Sequence, residues 1–219
     1  MTQTADQQRL EHRDFGRDVL HVIDGEAVPS ADGRTFESVD PHTGRVWARV
    51  AEGGAEDVRR AVAAARRAFD EGPWPRMSAD ERGKLMHALA DAVHDRREEI
   101  AQAETRDMGK PITESRTFDL PRVERNLRFF ADWLRMSEAE VFPATKHLTY
   151  SRYEPKGVVT AISPWNFPLM LGSWKIAPAL AFGNTAILKP AEQSPVTATM
   201  LGELAAELLP PGVLNVVHG

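Results

Sequence analysis

The sequence contains no cysteine. Disulfides are therefore excluded, and with them the usual mark of an oxidising compartment, so the expected location is the cytoplasm. Long apolar runs are missing too: no stretch approaches the roughly 18 consecutive apolar residues that a membrane helix needs. The first eighteen residues are polar and charged, with no apolar core of the kind a secretory signal carries. There is no basic excess. Lys and Arg number 27 against 32 Asp and Glu, giving a formal net charge of −5 and a pI near 5.8, which argues against a nucleic-acid partner. The arginine-rich stretches alternate with Glu and Asp and read as solvated helix faces. Histidines are scattered: His87 and His94 share a helix face but lie too far apart for the i,i+4 spacing of a helical zinc pair, so no transition metal is expected. Neither an internal repeat nor a low-complexity segment is present.

What is there is an ordinary globular chain of 219 residues, 42% hydrophobic and 27% charged, long enough for one large domain or two small ones. Its most informative run is Ile162-Ser163-Pro164-Trp165-Asn166-Phe167-Pro168. Upstream, the short β-branched stretch from Gly157 to Ile162 predicts a buried parallel strand. Downstream, Leu169, Met170, Trp174 and Ile176 predict a helix that Gly183-Asn184 stops. Two prolines stiffen the turn and fix the asparagine at the carboxyl end of the strand, where open α/β sheets place their ligands. A turn of this kind also has a purely structural reading, with the Trp in the core and the Asn satisfying turn backbone.

A second unit follows at similar spacing. Thr185 to Leu188 reads as a strand, Lys189-Pro190-Ala191-Glu192-Gln193-Ser194-Pro195 as its turn, and another helix comes next. Strand, turn, helix, repeated, is a doubly wound α/β pattern. Nearer the amino terminus, Leu20 to Val50 predicts hairpins around Asp24-Gly25 and Thr43-Gly44. Glu56 to Asp70 predicts a helix burying Val58, Ala61, Val62, Ala65 and Phe69. Ser78 and Glu81 form a capping box before a helix with Leu85, Met86, Leu89 and Val93 on its buried stripe. A further helix is expected from about Pro121 to Ser137, burying Val123, Leu127, Phe130 and Leu134. From His147 to Glu154 the pattern favours extended chain.

From about Val22 onward the chain resembles the aldehyde dehydrogenase superfamily. The resemblance rests on Asp40-Pro41-His42-Thr43-Gly44, Asp107-Met108-Gly109-Lys110-Pro111, the Pro-Trp-Asn-Phe-Pro turn, Trp174-Lys175, Lys189-Pro190-Ala191-Glu192-Gln193 and Gly212-Val213-Leu214-Asn215-Val216-Val217. It implies a Rossmann-like parallel sheet, incomplete here, with a β-hairpin oligomerisation arm. The implied organisation is a disordered tail at 1–18, the amino-terminal part of the cofactor domain at 19–143, the arm at 144–155, and truncated NAD-binding strands and helices at 156–219. The cysteine nucleophile and glutamate base of the family lie beyond Gly219, so an incomplete enzyme is expected. The competing expectation is a non-catalytic NAD-binding or assembly module.

Residue by residue, the resemblance makes Asn166 the donor to the developing oxyanion and Lys175 a member of a proton relay. Lys175 as a snorkelling side chain at a helix edge stays open. Lys189 and Glu192 match the residues that hold the adenosine ribose of NAD, with Pro190 and Ala191 between them, while Ser163, Pro164 and Trp165 would contact the cofactor. A carboxylate there accepts from a ribose hydroxyl and repels a 2′-phosphate; Glu192 also suits the first turn of the following helix. Phe167, Met170, Leu171 and Trp174 match substrate-tunnel positions, though such stripes are commonly core. Asp107 and Gln193, with the backbone near Val39, match a monovalent-cation site. A small-molecule aldehyde is the implied substrate and a homo-oligomer the implied assembly of the full-length protein, with no nucleic acid or membrane as partner. The 147–154 segment matches the arm, an ordinary edge hairpin being the alternative. Asp119-Leu120-Pro121-Arg122, Phe129-Phe130-Ala131 and Val213 to His218 look most similar to hydroxymuconic-semialdehyde dehydrogenases.

Overall fold

Alternation and turn chemistry set the sheets of this computed structural model, which describes residues 18–136, 139–143 and 145–219. The expected tail thus lies outside the described residues except for Asp18, which begins a strand. Strands β1 (Asp18–Val19), β4 (Thr35–Asp40) and β5 (Arg45–Ala51) form a small sheet in the order β1-β5-β4. Strands β2 (His21–Ile23) and β3 (Glu26–Val28) form the first expected hairpin. Asp24 (φ 58) and Gly25 (φ 81) both sit at positive φ, as a tight primed turn requires. The second hairpin, β4 to β5, turns at Gly44 (φ 67).

The larger sheet has the order β3-β2-β10-β9-β8, with β8 (Val158–Ile162), β9 (Thr185–Lys189) and β10 (Leu214–Val216) running parallel and β2–β3 closing it antiparallel. Period-two alternation sorts its side chains. Ala186 and Leu188 of β9 face helices α5 (Pro168–Ala181) and α6 (Val196–Leu208), whereas Ile187 joins Ile23 and Val217 against α1 (Ala55–Asp70). Behind α5 and α6 lie α2 (Ala79–Asp95), α3 (Arg97–Met108) and α4 (Leu120–Trp133), which share the main core with them. Fully buried Leu169, Ile176, Leu180, Leu188 and Leu201 knit this interface, each stabilising the fold by about 1.5–3 kcal/mol. Among the described residues no helix is long and apolar enough to cross a membrane.

Two helices depart from expectation for physical reasons. Helix α1 buries Ala61, Ala64, Ala65 and Ala68, while Val58 and Val62 are exposed. Asp57 is the cause: its buried carboxylate accepts from Gly54 N at 3.0 Å and Ala31 N at 2.9 Å, which turns the helix inward along an alanine stripe. Helix α3 was not expected at all. Its buried face is Ile100, Ala101, Ala103, Glu104 and Asp107, so two acids interrupt the apolar periodicity.

Helix α4 begins one residue before Pro121 and passes at Trp133 into a 3₁₀ turn, Leu134–Met136. Phe130 is half-buried, while Val123, Leu127 and Leu134 enter the core as expected. Ser78 caps α2 with Glu81 as the capping box predicts. Of the segment expected to be extended, Leu148–Tyr150 forms a strand, β7, which pairs antiparallel with β6 (Val141–Pro143) ahead of that segment, and every residue of both strands is exposed.

Candidate functional site

Parallel pairing of β8 with β9 brings their carboxyl ends to one edge, with Ile162 opposite Lys189. The chain then makes two turns, one into α5 and one into α6. Ser163 N donates to Lys189 O at 3.0 Å, and Ser194 Oγ reaches Trp165 O at 3.5 Å, so the turns are tied to each other as well as to the sheet. In the first turn Trp165 and Asn166 are exposed, Pro164 is half-buried and Ser163 is buried. The Asn166 amide makes no hydrogen bond to another described residue, which leaves both of its donors available. Ser163 Oγ is a buried hydroxyl without a hydrogen-bond partner among the described residues. Such an orphan marks a position where a further polar group fits.

Lys175, about two turns into α5, folds back and donates to Ile162 O at the start of the same turn. In the second turn Lys189 Nζ pairs with Glu192 Oε1. That hydrogen bond holds the Glu192 carboxyl below its usual range, so it is ionised at neutral pH. Ala191 is half-buried and Pro190 buried between them. The expected tunnel residues fall in different environments: Met170 is buried in the main core, Leu171 and Phe167 pack partly against it, and Trp174 is exposed.

Val39, Asp107 and Gln193, far apart in sequence, line one cleft of about 480 Å³ together with Trp165 and Glu192. Asp107 Oδ1 accepts from Ser38 Oγ at 2.8 Å and Oδ2 from Val196 N at 2.8 Å. It thereby caps the start of α6, and burial pushes its carboxyl up to about 8. Both oxygens keep spare lone pairs that a monovalent cation could use, but the fit is weak because the carboxyl is neutral near pH 7 unless a cation favours the charged form. Among the described residues no group of His, Cys, Asp or Glu is arranged to hold a metal ion.

Sequence reasoning left Lys110 without a role, although it stands in the Asp107–Pro111 motif. The structure buries it, pairs it with Asp119, and sets its Nζ 4.3 Å from the centre of the Phe167 ring, next to Asn166. The signal available was a lysine with an acid nine residues on, in a stretch too irregular to place on one face.

An open sheet with two crossover turns at the carboxyl ends of adjacent parallel strands is the frame of a doubly wound nucleotide-binding protein. The chain belongs to the aldehyde dehydrogenase family, whose model matches residues 28–219. It is 50% identical over 200 residues to aldehyde dehydrogenase family 2 member B4, mitochondrial, of Arabidopsis thaliana, covering 90% of this chain and 37% of that protein. It is 45% identical over 209 residues to the 2-hydroxymuconic semialdehyde dehydrogenase of Pseudomonas sp. (strain CF600), covering 93% and 43%. Among solved structures, the NAD+ complex of an aldehyde dehydrogenase from Bacillus cereus is 40% identical, with a TM-score of 0.91, covering 100% of this chain and 44% of that one. The chain thus spans less than half the length of these relatives.

Proposed function

We propose that this chain supplies the NAD-binding turns and the oxyanion donor of an NAD-dependent aldehyde dehydrogenase. The observation that carries the reading is the meeting of the two turns at one sheet edge, with a free amide at Asn166 and an ionised carboxylate at Glu192. Glu192 and Lys189 would hold the adenosine ribose, while Ser163, Pro164 and Trp165 would meet the rest of the cofactor. The orphan hydroxyl of Ser163 is a free polar group for it. When bound, NAD accepts the hydride of the aldehyde carbon.

Asn166 donates its amide hydrogens to the carbonyl oxygen as negative charge grows there, and Lys175 steadies the turn through Ile162 O. The thiolate nucleophile has to come from outside these 219 residues, which hold no cysteine. Semialdehydes are the substrate subclass tested first, since one relative is named for such a substrate. The exposed apolar residues of the β6–β7 hairpin, Val141, Phe142, Leu148 and Tyr150, favour pairing with another subunit.

The test has a binding arm and a turnover arm. NAD added to this chain should quench the fluorescence of exposed Trp165 and protect the turn from proteolysis; no saturable response ends the reading. With the cysteine-bearing remainder joined to the chain, Asn166→Ala should lower kcat by about 10²–10³ and leave the NAD Kd nearly unchanged. Undiminished turnover would remove Asn166 from the oxyanion role.

A further inference from the structure

Lys110 is the buried charge that the proposed chemistry leaves unused. Its side chain is 5% exposed and that of its partner Asp119 is 1% exposed. A buried ion pair seldom stabilises a fold more than well-packed apolar residues of similar volume would, so its retention needs another reason. The backbone goes out of its way to make this pair. Residues Ser115–Asp119 form a π-helical turn between the helical turn Ile112–Glu114 and α4, and this widened turn carries Asp119 inward. Asp119 Oδ1 has no hydrogen-bond partner among the described residues, so the pair is not optimised for its own satisfaction.

The third member of the group supplies the reason. The Lys110 ammonium lies 4.3 Å from the centre of the Phe167 ring, within cation–π range. Phe118 touches the same ring, with centroids 6.4 Å apart and planes tilted by 55°. Phe167 precedes α5 as its N-cap, at φ −141 and ψ 69, and gives no side-chain capping bond. The first turn of α5 is held there by Leu171 N to Phe167 O at 2.9 Å, by packing of Phe167 on the main core and by the grip on the ring. Asn166 is the next residue back, so its backbone adjoins the anchored Phe167.

We propose that Lys110 is a positioning residue: held by Asp119, its ammonium clamps Phe167 and so fixes the direction of the Asn166 amide. The functional weight of the clamp rests on the reading of Asn166 given above, but its geometry can be tested without cofactor or turnover. The double substitution Lys110→Met with Asp119→Leu removes the cation without stranding a buried charge. In ¹⁵N-labelled protein of this sequence, it should keep the melting temperature. It should also lower the hydrogen-exchange protection of the Leu171 amide about ten-fold and raise the mobility of the Asn166 side-chain amide. Lys110→Arg keeps a cation over the ring and should restore both signals, which a merely space-filling role would not require.

A folded double variant with parental protection at Leu171 and a parental Asn166 amide overturns the clamp. If the double variant does not fold, Phe167→Leu with the ion pair intact must produce the same two changes, and their absence there overturns it equally. NAD titration of the parent separates the two ideas: loss of NAD binding removes the cofactor reading, while the exchange data still decide the clamp.

Discussion

Glu192 and Lys189 form an exposed i,i+3 pair at the end of β9, and a pair so placed adds little to stability. Its replacement therefore reports on ligand recognition rather than folding. A carboxylate accepts from a ribose hydroxyl and repels a 2′-phosphate, so this chain should bind NAD at least ten-fold better than NADP, a difference of about 1.4 kcal/mol. Glu192→Ser should bring the two affinities together, mainly by strengthening NADP, as read by calorimetric titration. A parent that takes NADP as well as NAD would end the ribose assignment. The turns that carry Asn166 and Glu192 were legible in the sequence, because prolines and a neighbouring strand fix each locally, whereas the ribose role of Glu192 came only from the family resemblance. Lys110 and Asp119 were not, because an ion pair across a π-helical turn is a tertiary fact, and either residue alone reads as a turn former or a surface charge.

The same division between local and tertiary signals holds for whole elements. Strands β8 and β9 and helix α5 form where β-branched runs, a proline at the helix start and a glycine at its end predict them, with Gly183 at φ 82 as a left-handed stop requires. Strand β8, expected to be buried, is instead the edge strand of the sheet, with Thr160 and Ile162 exposed, because no further strand among the described residues pairs beyond it. Helix α3 was hidden because its buried stripe holds acids, and α1 was rotated by a buried aspartate that reaches another loop. Close packing of α6 on the sheet is likewise invisible in the sequence, where Gly202 reads as an indifferent helix residue. A Cβ there would lie 2.6 Å from Val216 Cγ2 and 3.2 Å from Val22 Cγ2. Both valines are buried and β-branched, so neither can swing aside. Overpacking costs about 1–3 kcal/mol, and the better helix propensity of alanine offsets roughly 1 kcal/mol of it. Gly202→Ala should thus lower the urea midpoint despite its helix preference. A gain in stability would show that α6 can lift from β10 at no cost.

Across the whole molecule, buried titratable groups of both kinds set how stability varies with pH. Burial pushes the Asp107 carboxyl from 3.8 to about 8 and that of Glu104 from 4.5 to about 7. Burial lowers His218 from 6.5 to about 3 and lowers His21, which stacks on it with ring centroids 5.6 Å apart. The signs are opposite. An acid with a raised folded pKa contributes stability fully present below its unfolded value and lost as pH rises through its folded value. A histidine with a depressed folded pKa contributes stability fully present above 6.5 and lost as pH falls toward its folded value. Between 4.5 and 6.5 the folded state holds extra protons on the two acids and lacks one on His218, with His21 acting in the same sense as His218, so the slopes oppose each other. Above 6.5 the histidines are neutral in both states and only the acids remain, so stability falls until about pH 8. Thermal melts should therefore vary least at mildly acidic pH, with a decline on the alkaline side and another below about pH 4. Asp107→Asn, which mimics the protonated carboxyl, should flatten the alkaline limb, and His218→Gln the acidic one. A melting temperature that rises between pH 6.5 and 8 would mean that Asp107 is already charged in the fold, and hence that a cation or an unrecognised donor stands beside it in the cleft it shares with Val39 and Gln193.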